Sequence, residues 1–281
     1  MSTPRVALIA DPERKDAADA LTKISAALEK ASCLTCTLHP EETLEADVDL
    51  AVVVGGDGTI LAQGRNLLDR GIPIAGVNVG RLGFLAEFDS DSFVQQIDVI
   101  LAPDRLIRER MTMEVMVEHN DGQSDPWRSS MNDCVVTSGP PFRMIELSLA
   151  LGESEGTRLT GDGIIVATPT GSTAYNVSAG GPILDPDCEA FAVTPIAAHS
   201  LAFRPIVTAP DAPIAIEVIR ANEGSTLVLD GQQTSSLQAG DTVRIRRSNQ
   251  KLRLVHDPRR AFWETVTGKM KWATGPSYRD R

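Results

Sequence analysis

Asp57 stands in the run Gly55, Gly56, Asp57, Gly58, Thr59, directly after the strand-like stretch Leu50 to Val54 and ahead of a helix-like one. A buried strand feeding a glycine-rich turn and then a helix presents several backbone N–H groups at one point, and such a concavity binds phosphate. Glycine permits positive φ and close approach of the backbone to a ligand. The central carboxylate is the unusual part. An anion set against phosphate repels it unless a cation or a reacting hydroxyl lies between, so the pattern points to phosphoryl transfer over passive anion binding. The plainer alternative is a tight strand-to-helix turn capped by Asp57 or Thr59. Three glycines around one aspartate, after aliphatic residues, favour the chemical reading.

A second constellation runs from Asp162 to Leu184. Ile164 to Ala167 reads as a strand. Beyond Pro169, the hydroxyls of Thr170, Ser172, Thr173, Tyr175 and Ser178 cluster around Gly171, with Gly180 and Gly181 following. This surface of small residues carries hydrogen-bonding groups, one aromatic ring and no charge across 170–178. It suits the edge of a base or a ribose; a polar loop of a β domain is the bland reading.

The elements that position these groups follow from periodicity. Val6 to Ala10, Cys33 to Leu38, Leu50 to Val54 and Ile74 to Val77 read as strands, and Asp16 to Lys30 and Thr59 to Leu68 as helices. That alternation predicts an open parallel α/β sheet, whose ligands bind beyond the carboxyl ends of the strands. From about Arg108 the texture becomes short alternating runs: Met113, Val115, Val117; Leu147, Leu149, Leu151; Ile214 to Ile219; Val243 to Ile245. These predict a mostly antiparallel, two-layer β domain, with one helix expected at Glu189 to Ala198. The division is thus 1–110 for an α/β domain, 111–256 for a β-rich one, and 257–281 returning to the first. In that last segment Ala261, Phe262, Trp263 and Val266 form a closing helix, followed by a loosely ordered tail from Lys269 to Arg281.

Composition narrows the class. In a chain of 281 residues, 42% hydrophobic and 23% charged content is that of a globular protein with a sizeable core. A net charge of −11 argues against a broad nucleic-acid-binding face. No apolar run approaches the ~18 residues that span a membrane, and Met1 to Arg14 shows no secretory pattern. Cys33, Cys36, Cys134 and Cys188 form no disulfide framework or zinc spacing; buried free thiols in a reducing cytoplasm are expected. His39, His119, His199 and His256 show no ligand spacing.

The segments G-G-D-G-T at 55–59, G-V-N-V-G-R-L-G-F-L at 76–85, N-D at 132–133, D-G-I-I-V-A-T-P-T-G-S-T-A-Y at 162–175, S-A-G-G-P-I at 178–183 and D-G-Q at 230–232 occur in the order found in NAD kinases. Over roughly its whole length the chain resembles a bacterial member of that family. G-G-D-G-T alone is shared with diacylglycerol and sphingosine kinases; together with T-P-T-G-S-T-A-Y it is specific. The resemblance implies transfer of a phosphoryl group from ATP, or from polyphosphate, to the 2′-hydroxyl of the adenosine ribose of NAD, with Mg²⁺, giving NADP. It implies that Asp57 is catalytic and faces that hydroxyl, while Gly55, Gly56, Gly58 and Thr59 hold the donor phosphates. Asn132 and Asp133 would contact ribose hydroxyls. Thr173, Ala174, Tyr175 and Ser178 would line the adenine and ribose pocket, with Phe84 packing nearby and Asp162 toward the nicotinamide side.

Asp230 and Gln232 are further candidates, although Asp-Gly between two strand-like runs is equally the hairpin turn. Relatives often carry Asn-Glu where this chain has Asn132 and Asp133, and they vary at the position of Thr160, which borders the site and is expected to affect tolerance for NADH as acceptor or for the donor. They are also usually dimers or tetramers, which implies a homo-oligomer binding small nucleotides and neither nucleic acid nor membrane. The alternatives are a lipid or sphingoid-base kinase sharing the G-G-D-G-T fold, and a dinucleotide-binding regulator without turnover.

Overall fold

The computed structural model describes residues 3–14, 17–80, 83–200 and 202–272. The chain divides into two compact units, one of Met1–Arg108 with Arg253–Arg281 and one of Glu109–Leu252.

The first unit opens with β1 (Val6–Ala10), α1 (Ala18–Lys30), β2 (Leu34–Leu38), β3 (Leu50–Val54), α2 (Asp57–Leu67), β4 (Ile74–Asn78), β5 (Phe88–Asp89), α3 (Ser90–Gln95) and α4 (Ile97–Leu101). Every residue of β1, β3 and β4 is buried. Strands covered by helices on both faces require continuous aliphatic runs rather than alternation, which is what these three carry. β2 lies at the edge and alternates between half-buried and exposed. The strands pair parallel, in the spatial order β2-β1-β3-β4. The winding therefore reverses between β1 and β3, and ligand crevices form beyond the carboxyl ends of strands at such a switch point. Gly55 follows the end of β3. One face of the sheet packs Val6, Leu8, Val52 and Val54 against Ile24 and Leu28 of α1 and Phe93 of α3. The helix expected from Asp16 is described from Ala18; Asp16 lies outside the described residues.

The second unit is built from antiparallel strands: β6 (Ile107–Glu118), β7 (Arg128–Ser130), β8 (Asp133–Thr137), β9 (Ile145–Leu151), β10 (Thr157–Gly161) and β11 (Gly163–Ala167), then the short helix α5 (Tyr175–Ser178), then β12 (Phe191–Ile196), β13 (Ile206–Thr208), β14 (Ile214–Arg220), β15 (Thr226–Leu229), β16 (Gln232–Ser236) and β17 (Thr242–Val255). One layer runs β13-β12-β11-β8-β15-β16; in the other, β10, β9, β14 and β17 lie in sequence. The alternation read in the sequence is the core: Cys134, Val136, Ile164, Val166 and Leu227 of the first layer meet Leu147, Ile216, Val218 and Val243 of the second. The opposite face of the first layer carries Val135, Ile165, Ala167 and Ala192, and the hydroxyl-rich segment covers it through Ala179 and Leu184.

The helix expected at Glu189 to Ala198 is instead strand β12. Its residues Phe191 to Thr194 are buried on both faces, and it pairs with β11 and β13. A short buried apolar run has no period that separates strand from helix, so pairing decides. Pro195 sits beyond the residues that β13 pairs, where its missing N–H forfeits no ladder bond.

The end of β17 leads back into the first unit, where Leu254 lies beside Ile74 of β4. There the expected closing helix is α6 (Phe262–Met270), with Val266 fully buried. Lys269 and Met270, expected in a loose tail, are helical; residues 273–281 of that tail lie outside the described residues. The cysteines are free, with Cys33 and Cys134 buried and Cys36 half-buried. Cys188 departs from expectation: it is exposed, in the loop before β12. Among the described residues, no helix is long and apolar enough to cross a membrane.

Ile164 is fully buried at the centre of the two-layer core. Ile164→Ala should cost about 2–5 kcal/mol in chemical denaturation. A loss below about 1 kcal/mol would show that the layers repack around the gap and are less tightly matched than described.

Candidate active site

Asp57 is the first residue of α2, and Gly56, in extended conformation, is the N-cap. Neither Asp57 nor Thr59 caps the helix, because no side-chain cap bond is present. The Asp57 carboxylate is instead held across the turn. Its Oδ2 accepts from the N–H of Phe84 at 2.8 Å, and its Oδ1 from the N–H groups of Leu85 at 3.0 Å and Ala86 at 3.4 Å. Lys269 Nζ of α6 lies 3.6 Å from Oδ2. Three amide dipoles and one ammonium therefore surround the carboxylate, which relieves much of the repulsion that an approaching phosphate would meet.

Of the three glycines around Asp57, only Gly55 serves this arrangement by its size. Gly55, Gly56 and Gly58 all lack positive φ, contrary to the expected conformational role. A Cβ at Gly55 would come within 2.7 Å of the Thr59 side chain, whereas the space around Gly56 and Gly58 is open. The expected cradle also narrows. The Gly55 N–H donates to Val77 O and the Thr59 N–H to Gly56 O. This leaves the N–H groups of Gly56, Asp57 and Gly58, which head the helix with no carbonyl a turn before them. Gly83 was not anticipated as a site residue, yet a Cβ there would lie 1.7 Å from Asp57 Oδ1. The 83–89 segment is anchored in turn by Glu87, whose carboxylate accepts from the Asp257 N–H at 2.9 Å and meets His256 Nδ1 at 2.7 Å. His256 is thus a partnered, largely buried histidine, as expected of it.

In the second unit, a cavity of about 380 Å³ is lined by Asn132, Asp133, Val135, Thr137, Ala174, Tyr175, Val228, Asp230 and Gly231. Asp230 resolves its two readings by satisfying both. With φ of +49° at Asp230 and +78° at Gly231, the pair makes the hairpin turn between β15 and β16. Its Oδ1 also accepts from the Asn132 N–H at 2.7 Å, the Ser130 hydroxyl at 2.8 Å, the Met131 N–H at 3.1 Å and the Asp133 N–H at 3.3 Å. The turn thereby fixes the backbone of the Asn132–Asp133 pair. From the other side, the Thr168 N–H donates to Asn132 O at 2.9 Å, and a Cβ at Gly171 would fall 2.0 Å from that same oxygen.

The structure thus gathers Asn132, Asp133, Ala174, Tyr175 and Asp230 at one cavity. Thr173 does not line it; its hydroxyl turns back to Thr170 O at 3.3 Å. Ser178 is exposed at the end of α5. Asp162 lies at the junction of β10 and β11, its carbonyl accepting from the Ser138 N–H. Thr160 pairs with Glu146 in the sheet, and Gln232 is an exposed residue opening β16. Phe84 belongs to the first unit, its ring 6.0 Å from that of Phe262 and 4.8 Å from Lys269 Nζ. Asn176 was missed altogether. Fully buried, it donates to Ser172 O and Pro182 O and accepts from the Thr194 hydroxyl, pinning the hydroxyl-rich segment onto β12. Among the described residues, no three His, Cys, Asp or Glu side chains converge as metal ligands.

Burial, and then the neighbouring charge of Asp230, push the Asp133 carboxyl up to about 7, against the opposing pull of the Tyr175 N–H. A carboxyl whose pKa rises on folding favours the folded state at low pH, and that contribution is lost as pH climbs from about 4 to about 7. Asp133→Asn should therefore gain about 2–4 kcal/mol of stability over the parent at pH 8 relative to pH 4. Thermal or denaturant unfolding at the two pH values checks this; an equal difference at both would contradict it.

Comparison with known proteins points to one family. The model of the ATP-NAD kinase N-terminal domain matches residues 10–105, and that of the ATP-NAD kinase C-terminal domain matches residues 131–257. An NAD kinase of Desulforamulus reducens is 40% identical over 253 residues, covering 88% of this chain and 86% of its own length. One from Symbiobacterium thermophilum is 38% identical over 231 residues, covering 82% and 81%. Among solved structures, an Archaeoglobus fulgidus NAD kinase in complex with ATP superposes with a TM-score of 0.77 at 26% identity, over 95% of this chain and 98% of that one. Yeast NADH kinase complexed with NADH shares the fold, with a TM-score of 0.88 at 24% identity over 100% and 91%. The chain belongs to the NAD kinase family.

Proposed function

We propose that this chain transfers a phosphoryl group from ATP, or from polyphosphate, to the 2′-hydroxyl of the adenosine ribose of NAD, giving NADP. The observation that carries the reading is the Asp57 carboxylate, gripped by the amides of 84–86 at the head of a phosphate-suited turn. A carboxylate is too weak a base to ionise an alcohol outright. Asp57 instead orients the hydroxyl and accepts its proton late, as the phosphoryl group passes through a loose transition state. The N–H groups of Gly56, Asp57 and Gly58 bind donor phosphate oxygens; Mg²⁺, when bound, would supply further offset of the phosphate charge.

In the second unit, the cavity has apolar walls in Val135, Val228 and Ala174 and polar groups in Asn132 and Asp133. That combination suits a nucleoside, whose flat base needs apolar contact and whose ribose hydroxyls need acceptors. Phe84, Asp162, Thr173, Ser178, Thr160 and Gln232 remain secondary contacts to the dinucleotide in this reading. A cytoplasmic homodimer or homotetramer accompanies it by resemblance to relatives.

The test is an endpoint assay with purified protein, Mg²⁺, NAD and either ATP or polyphosphate, reading NADP with an NADP-specific dehydrogenase. NADP should form, and Asp57→Asn should lower kcat by about 1,000-fold or more while the NAD dissociation constant stays within about threefold. NADP formation by the variant at the parent rate would remove Asp57 from its role. Absence of NADP with both donors, in folded protein that binds NAD, would leave the regulator reading in its place.

A further inference from the structure

A carboxylate offers about four acceptor positions, and the amides of Phe84, Leu85 and Ala86 occupy most of those on Asp57. What stands at the remaining approach to Oδ2 is Lys269 Nζ, at 3.6 Å. This ammonium is not a casual surface charge. Its Nζ lies 4.8 Å from the centroid of the Phe84 ring, the same residue whose N–H donates to Oδ2. The helix that carries it is fixed in the first unit by the fully buried Val266 and by Phe262, whose ring tilts against Phe84 at 6.0 Å. Yet the Lys269 side chain keeps 37% of its surface in solvent, so the ammonium at the end of its flexible stem has room to reach an incoming anion. It also lines a groove of about 850 Å³ of mixed charge, where Arg259 is paired with Asp257 and Asp89 and Glu264 stand beside Arg260 and Lys271.

We propose that Lys269 is a catalytic residue that acts by its charge on the donor phosphates, a role that rests on the NAD kinase reading of Asp57. Before the substrates arrive, its ammonium holds Oδ2 and keeps the carboxylate in one orientation. When the acceptor hydroxyl takes its place at Oδ2, the ammonium swings to the donor phosphates and stands between them and Asp57. The same cation thus screens the carboxylate from the phosphates in the ground state and offsets charge on the phosphoryl oxygens during transfer. No bond to Lys269 forms or breaks.

The test compares the parent with three variants. Lys269→Met keeps the apolar stem over Phe84 and removes the charge, Lys269→Arg keeps the charge, and Lys269→Ala leaves space for an added amine. Lys269→Met should lower kcat by about 10- to 100-fold and raise the KM for ATP, with the KM for NAD within about twofold. The unfolding midpoint should stay within about 2 °C, since an ion pair this exposed contributes little to stability. Lys269→Arg should retain most of the activity, and ethylammonium should raise the turnover of Lys269→Ala but not that of the parent. Parent-like kinetics in Lys269→Met would overturn the proposal. So would Lys269→Arg as slow as Lys269→Met with no rescue by ethylammonium, which would mark a packing role. Both outcomes leave the NAD kinase reading intact as long as the parent makes NADP and Asp57→Asn does not; a parent that makes none overturns both.

Discussion

The grip of three consecutive backbone amides on the Asp57 carboxylate is the interaction on which the first unit's chemistry depends. A charged group at the head of a helix, beside a surface meant for phosphate, is stable in one place only if its charge is met by fixed donors. The 84–86 amides supply them without side chains, so they cannot be titrated or swung away. Everything that brings the two segments together serves this contact: the parallel pairing of β3 with β4, the absence of a side chain at Gly83, and the anchoring of Glu87 by His256 and the Asp257 N–H.

The second unit solves a parallel problem with the charges reversed in role. Asp230 is spent on backbone amides, and by fixing Met131 to Asp133 it places a second, buried carboxyl at the cavity wall. Burial, and secondarily the nearby charge of Asp230, is why Asp133 holds its proton to about neutral pH. A group balanced there is able to donate as well as accept a hydrogen bond, which suits recognition of ribose hydroxyls. Behind the cavity, Gly171 packs closely on the Asn132 carbonyl, and Asn176 ties the hydroxyl-rich segment to β12 by uncharged hydrogen bonds.

Much of this was legible in the residues. The aliphatic runs of β1, β3 and β4 declared a covered parallel sheet, and the alternation of Met113, Val115 and Val117 declared a half-buried strand. The turn at Asp57 was visible because three glycines and a carboxylate follow directly on a buried aliphatic strand and precede a helix. What stayed hidden has a common physical origin. The donors that hold Asp57 are main-chain N–H groups, which every residue but proline possesses, so no residue type marks them. Gly83 matters only through a distance to a residue 26 positions earlier in the chain, and Lys269 only because α6 folds back onto the Phe84 segment. The run 191–196 was misjudged as helical because a fully buried strand shows no alternation, and its neighbours in the sheet come from distant sequence. Thr173 and Ser178 are placed in the adenine and ribose pocket by resemblance, while local geometry turns the Thr173 hydroxyl back to Thr170 and leaves Ser178 off the cavity wall.

The central claim is that catalysis depends on the carboxylate being clamped in place and not merely on its presence. The most direct measurement is the turnover of Gly83→Ala, which leaves Asp57 and every amide in the sequence while putting a methyl group where Oδ1 now sits. If the account holds, NAD still binds with its parent affinity and kcat for NADP formation falls by about 100-fold. A Gly83→Ala protein that turns over at the parent rate would show that the clamp is incidental to the chemistry.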